Sequence, residues 1–170
     1  MKEQRHILLV IDDDQNDQLF IKTALREVGV SDRIFCVSSG EEAIHYLDGQ
    51  GKYASRHDYP FPSAVITDLK MPLVDGFGVL EHLQKNPHWK VIPVVVLTAS
   101  ADTDDIQRAY MLGANSYLIK PHEYTELRSL LKLYYDYWAV CEVPIVDDTG
   151  KSLQTESRGK LGERYKKPAP

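Results

Sequence analysis

The chain has 170 residues, 43% of them hydrophobic and 26% charged, which suits one globular domain with a sizeable core. A formal net charge of -5 argues against a general nucleic-acid surface. Two cysteines, Cys36 and Cys141, stand outside any CxxC or metal-ligand spacing, which excludes a disulfide scaffold and points to a reducing cytoplasm.

The opening run MKEQRHILLVIDDD is apolar for too short a stretch to be a signal peptide, and no segment reaches the ~20 apolar residues of a membrane span. Within it, residues 6–11 form a continuous apolar run and predict a strand covered on both faces. Asp12, Asp13 and Asp14 follow at once. Phe20, Ile21, Ala24, Leu25 and Val28 then make a helical stripe, and residues 33–37 a weaker strand. Ser39 to Glu42 has capping-box spacing and leads into Ala43, Ile44 and Leu47. GQGKYASRHDYPFPS, residues 49–63, exceeds an ordinary helix-to-strand loop and is expected to be a flap or an interaction surface. A third strand, 64–67, ends on Asp68. Lys70, the Met71-Pro72 turn and Asp75-Gly76 follow, opening a helix striped by Val79, Leu80 and Leu83 and closed by Asn86-Pro87. Residues 93–98 form a fourth strand ending on Thr98. Ile106, Ala109, Tyr110 and Leu112 mark a fourth helix closed by Gly113. The fifth strand, 116–119, contains Tyr117 and runs into Lys120-Pro121. Leu127, Leu130, Leu131, Tyr134 and Trp138 stripe a long last helix whose aromatics occupy more than one face, as a partner surface would. Residues 142–170 are too few to bury a core and read as an extension to a domain spanning 1–141.

Five alternations of strand and helix imply βαβ units and an open, doubly wound α/β sheet. In such a sheet ligands bind at the carboxyl ends of the strands. Asp12, Asp13, Asp68, Thr98 and Lys120 all fall there. Carboxylates that face one another raise a pKa or recruit a cation, and hard oxygen donors suit Mg²⁺. A metal held by Asp13 and Asp68 leaves an oxygen of Asp68 to attack phosphorus. Lys120 and the Thr98 hydroxyl are placed to neutralise the transferring group.

In these motifs the sequence resembles a two-component response-regulator receiver domain. The match is carried by Asp12-Asp13 after LLVI, Asp68 in VITDLKMPLVDG, Thr98-Ala99 after VVVL, and Lys120-Pro121 after SYLI, and it covers roughly residues 6–138. The resemblance implies a flavodoxin-like sheet of strand order 2-1-3-4-5 and a stand-alone phosphorylation switch. Asp68 would be the phosphoacceptor. Asp12, Asp13, Asp68 and the backbone carbonyl of Lys70 would hold Mg²⁺. Thr98 and Lys120 would bind the phosphoryl group, Tyr117 would be the aromatic switch residue, and the Lys120-Pro121 bond would be cis. A sensor histidine kinase or phosphotransfer protein would be the donor. The 49–63 connector and the YYDYW helix are also similar to single-domain receivers that partner bacterial phytochromes, which implies a homodimer through the last helix and tail.

Other expectations concern roles outside this site. Asp14 and Asp17 are read as a helix cap and a solvated acid, and all six histidines as structural or surface groups. A lysine at position 70 is expected to prolong the phosphorylated state relative to a Lys70→Asn variant. No DNA-binding output domain is expected in the short tail. The rival reading is an aspartate-nucleophile phosphatase acting through Asp12, although the hydroxyl or β-branched residue expected after its DxD motif is absent.

Overall fold

The continuous apolar runs become the strands of a single parallel sheet in the computed structural model, which describes residues 7–30 and 33–152. His6 of the first expected strand, and residues 153–170 of the expected tail with Lys166 and Lys167, lie outside the described residues. The strands are β1 (Leu8–Ile11), β2 (Ile34–Val37), β3 (Ala64–Thr67), β4 (Val94–Thr98) and β5 (Ser116–Ile119), and their order is β2-β1-β3-β4-β5. That is the expected doubly wound arrangement. Between them run α1 (Gln15–Glu27), α2 (Gly40–Asp48), α3 (Gly76–Lys85) and α4 (Thr103–Met111), and α5 (Tyr124–Val140) closes the fold.

The two faces of the sheet carry separate cores. Leu8, Val10, Ile66 and Leu97 pack under α1 and α5, against Ile21, Leu25, Leu127 and Leu131. Leu9, Ile11, Val65 and Val96 pack on the other face with Leu47, Leu80 and Leu83. Because side chains alternate across a strand, β1, β3 and β4 are apolar on both faces until the buried Thr67 and Thr98 that end β3 and β4, which is why they read as unbroken runs. β5 is an edge strand, opposite β2, and is only partly covered despite its apolar sequence.

Helix starts follow the expected chemistry. The Asp14 carboxylate accepts from the amides of Asn16 and Asp17, and Asp75 caps α3 through the Gly78 amide. Ser39 accepts from the Glu42 amide at 3.1 Å, but the Glu42 carboxylate returns to the amide of Ser38, not Ser39. α4 is lightly seated. Of its expected stripe only Ala109 is fully buried, while Tyr110 faces solvent.

The 49–63 connector is packed, not a free flap. It contains a 3-10 turn, Gly51–Tyr53. Tyr53 and Tyr59 stack with Tyr46 of α2. Arg56 donates to the carbonyls of Tyr46 and Leu47 at 2.8 and 2.6 Å, satisfying the end of α2. These tyrosines and the arginine look polar in sequence, which is what disguised the segment as a surface loop. Phe61 is fully buried against Trp89, and its amide donates to the Asp148 carbonyl at 2.9 Å. The described part of the C-terminal extension thus ends in a tight turn seated on Phe61, braced by Asp147 and a bridge between Val146 and Ser152.

Candidate functional site

Strand register assembles the rim. Ile11 lies level with Thr67 across β1 and β3, so Asp12 and Asp68 leave the sheet side by side. Thr98 lies level with Ile119 across β4 and β5, so Lys120 emerges beside them. The Lys120 amide donates to the Thr98 carbonyl at 2.7 Å and extends the ladder one step. No peptide bond among the described residues is cis, so the expected cis Lys120-Pro121 bond is instead trans. The ladder contact and the surrounding acids aim the amine without it.

The Lys120 ammonium is the centre of the site. Its Nζ lies 2.7 Å from Asp12, 2.8 Å from Asp17 and 3.3 Å from Asp68. Only 11% of the side chain is exposed. Burial works against its charge, but the Asp12 and Asp17 carboxylates outweigh that and hold the ammonium's pKa above the usual lysine value. Asp12 is itself fully buried. Its Oδ1 accepts from the Asp14 amide and its Oδ2 from Lys120. Burial raises the Asp12 carboxyl pKa above the usual value, and Lys120 only partly offsets it.

Asp12, Asp13 and Asp68 each present a carboxylate oxygen, all within 4.8 Å of one another. Three hard oxygen donors at a solvent-facing rim fit a small divalent cation that keeps waters of its own. The charge-starved state of Asp12 points the same way. Both oxygens of Asp68 already accept from protein donors. Oδ1 takes the amide of Leu69 at 2.6 Å and of Lys70 at 3.3 Å, and Oδ2 takes Lys120. Gly76 makes this loop possible, because a Cβ there would run into the Asp68 carbonyl oxygen.

Thr98 is fully buried at the end of β4, its Oγ1 within 3.5 Å of the Ser100 amide. Tyr117 does not enter the cup. Its hydroxyl donates to the Ser100 carbonyl at 3.0 Å. The Lys70 side chain also points elsewhere, to Asp105 at 2.6 Å.

Two contributors went unrecognised in the sequence. Asp17 is an ion-pair partner of Lys120, not merely a solvated acid. The signal was its spacing, four residues before the buried Ile21, which sets it on the inward face of α1. Gln18 donates through Nε2 to the carbonyls of Asp12 and Val37 and to the Ser38 hydroxyl, tying α1 to the rim. Nothing in its sequence context marks it. Of the described histidines, His82 meets Asp48 at 2.7 Å and links α3 to α2. The geometry gives the phosphatase reading no help, because Asp12 is buried and doubly bonded and Asp14 is used as a cap.

Comparison with known proteins agrees with this arrangement. Residues 8–132 match the family described as response regulator receiver domain. The probable methanogenesis regulatory protein FilR2 of Methanothrix harundinacea is 34% identical over 139 residues, covering 80% of this chain and 85% of that protein. The crystal structure of the phosphorylated cyanobacterial phytochrome response regulator RcpA superposes with a TM-score of 0.77 at 31% identity, covering 83% of this chain and 99% of that one. The Mn(2+)-bound form of response regulator Rcp1 gives a TM-score of 0.74 at 29% identity, with 82% and 99% covered. With the rim geometry and these likenesses together, the chain belongs to the response regulator receiver domain family.

Proposed function

We propose that this protein is a phosphorylation-operated signalling switch whose phosphoacceptor is Asp68. The observation that carries the reading is the convergence of Lys120, from beyond β5, onto Asp12 and Asp68, from beyond β1 and β3, beside a three-carboxylate cup. A histidine kinase or phosphotransfer protein is the donor. The P–N bond of its phosphohistidine breaks as an Asp68 oxygen bonds to phosphorus, and the departing imidazole takes the electron pair. Asp12, Asp13 and Asp68, whose carboxylates lie within 4.8 Å of one another, would hold Mg²⁺ together with the Lys70 carbonyl. When bound, the cation would neutralise charge on the transferring oxygens. Lys120 moves its ammonium to the new phosphoryl group, the Thr98 hydroxyl binds a second oxygen, and Tyr117 leaves the Ser100 carbonyl to turn inward. The phosphoryl charge biases a two-state equilibrium rather than driving turnover of a separate substrate.

The neighbours described as phytochrome response regulators support a phytochrome-type kinase as donor. Exposed Leu133, Tyr137 and Val140 on α5 support output through a homodimer or another protein contact rather than DNA. Residues 1–141 are the receiver and 142–170 an extension, whose described part packs against Phe61 through the Asp148 carbonyl. No described helix is long and apolar enough to cross a membrane, and the free cysteines suit a cytoplasmic setting.

The test is incubation with acetyl phosphate and Mg²⁺ followed by intact mass. A gain of one phosphoryl group that is lost in Asp68→Ala supports the reading. A gain that survives Asp68→Ala, or no gain at all, rejects it.

A further inference from the structure

We infer that Asp105 is a positioning residue that parks the Lys70 ammonium away from Asp68 in the resting chain, and that a phosphoryl group on Asp68 draws this ammonium off and releases α4. The inference rests on the reading of Asp68 as phosphoacceptor.

Lys70 stands two residues beyond Asp68, and its amide donates to Asp68 Oδ1 at 3.3 Å. The root of the side chain is therefore fixed beside the reacting carboxylate. Its ammonium nevertheless lies across the rim, 2.6 Å from Asp105 in the first turn of α4. The same Asp105 oxygen accepts from the Ser100 hydroxyl at 2.6 Å, and the Ser100 carbonyl accepts from Tyr117. A continuous run of polar contacts thus joins the loop after β3, the start of α4 and β5. The Lys70 ammonium and the Ser100 hydroxyl both hold the Asp105 carboxyl below its usual pKa.

The tie matters because α4 has few other anchors, one of them the Arg108 guanidinium 4.1 Å over the Phe77 ring of α3. Ala109 is its one fully buried residue among those described, and its other ion pair, Arg108 with Glu81, is long and exposed at 3.7 Å. The tie is also exchangeable. The Lys70 side chain is 61% exposed although Asp105 is only 17%, and an ion pair open to water at its lysine end is weaker than a buried one. A phosphoryl group carries up to about twice the charge of a carboxylate. A lysine on a flexible four-carbon stem can turn toward it with no backbone movement. Once Lys70 leaves, Asp105 keeps only its hydroxyl partner, and α4 loses its link to the β3 end of the site.

The experiment is a double-mutant cycle read by beryllofluoride binding in saturating Mg²⁺, on the full chain. Asp105→Asn keeps the Ser100 hydrogen bond and removes the competing charge. It is expected to tighten beryllofluoride binding roughly two- to fivefold, the size of a partly exposed ion pair. The gain should vanish in a Lys70→Met background, and Asp105→Glu should restore the parental affinity. Failure of Asp105→Asn to tighten binding, or the same tightening with Lys70→Met, overturns the inference while leaving the switch intact. If the parental chain itself binds no beryllofluoride, the switch reading fails and the inference falls with it.

Discussion

Replacing Lys120 by methionine tests whether its ammonium is what makes the acidic rim tolerable. Methionine keeps most of the apolar stem and deletes the charge. The loss is set by Asp12, which is buried and has Lys120 as its charged partner. Stripping one partner from a buried pair costs about 3–5 kcal/mol. The lower end applies here, since the acid can escape by binding a proton and the half-exposed Asp17 adds little. A loss of about 3 kcal/mol at pH 7 corresponds to a Tm drop of roughly 6–12 °C. The pH dependence has a definite sign. Lys120 has a raised pKa, so its contribution is complete below its ordinary 10.5 and is lost only as the pH climbs through the folded value. The Asp12 carboxyl is also raised, from an ordinary 3.8, so its contribution is complete below 3.8 and is lost as the pH rises through its folded value. Removing Lys120 raises it further. The Lys120→Met penalty should therefore be near its full size at pH 7 and much smaller near pH 4. Mg²⁺ should stabilise the variant more than the parent, because the cation takes over the missing charge. Urea denaturation at both pH values, with and without Mg²⁺, checks this. Equal losses at both pH values, together with equal Mg²⁺ effects on variant and parent, would refute the assignment of Lys120 as counter-ion to a buried Asp12.

Gly76→Ala should cost about 1–3 kcal/mol by overpacking and slow phosphorylation, because its Cβ meets the Asp68 carbonyl and Leu69 Cα; urea midpoints and the mass assay measure both effects. Leu73 has a left-handed φ of 62° and is 93% exposed. Leu73→Gly relieves about 1–2 kcal/mol of backbone strain against about 0.5–1 kcal/mol of added chain entropy, so denaturation should show a small gain in stability and not a loss. Burial works against the Glu42 charge, but Lys52, Tyr53 and the Ser38 amide prevail and hold its carboxyl at about 2. Its contribution is present above 4.5 and lost as the pH falls through about 2. Glu42→Gln should thus be less stable than the parent at pH 7, with the gap closing below pH 4.5 in a urea series.

The sheet was legible because parallel strands covered on both faces are apolar nearly throughout, and β1, β3 and β4 are so up to the threonines that close β3 and β4. The rim was legible because each of its charged groups follows such a run directly, and strand ends in this topology converge. What escaped was set by packing across distant segments. Tyr46, Tyr53, Tyr59 and Arg56 build a packed lobe in which Tyr46 and Arg56 donate to backbone carbonyls and Tyr53 to the Glu42 carboxylate, pairings no local pattern reveals. The turn at 147–151 is held by Phe61, more than eighty residues earlier in the chain. Asp17 was misread because acids near a helix start are usually solvated, and only the helical phase to Ile21 places it on the inward face. Lys70 reads as a neighbour of the phosphoryl group, but the first turn of α4 supplies a competing anion that sequence separation conceals.

These contacts also imply an order of events at the rim. Asp12, Asp17 and Asp68 surround one ammonium and Asp13 adjoins Asp12 and Asp68, so four carboxylates against one amine leave a net of three negative charges when all are ionised. A phosphoryl donor brings more negative charge to the same place, and at such separations in a partly buried site the repulsion amounts to several kcal/mol. A dication held by Asp12, Asp13 and Asp68 would reduce that net to one negative charge. On the proposed reading, Lys120 would then be held less strongly by Asp12 and Asp17 and would be available to the phosphoryl oxygens. The resting ion pairs of Lys120 therefore do two things: they offset the charge of an acidic rim, and they hold the amine 3.3 Å from Asp68, the proposed phosphoacceptor.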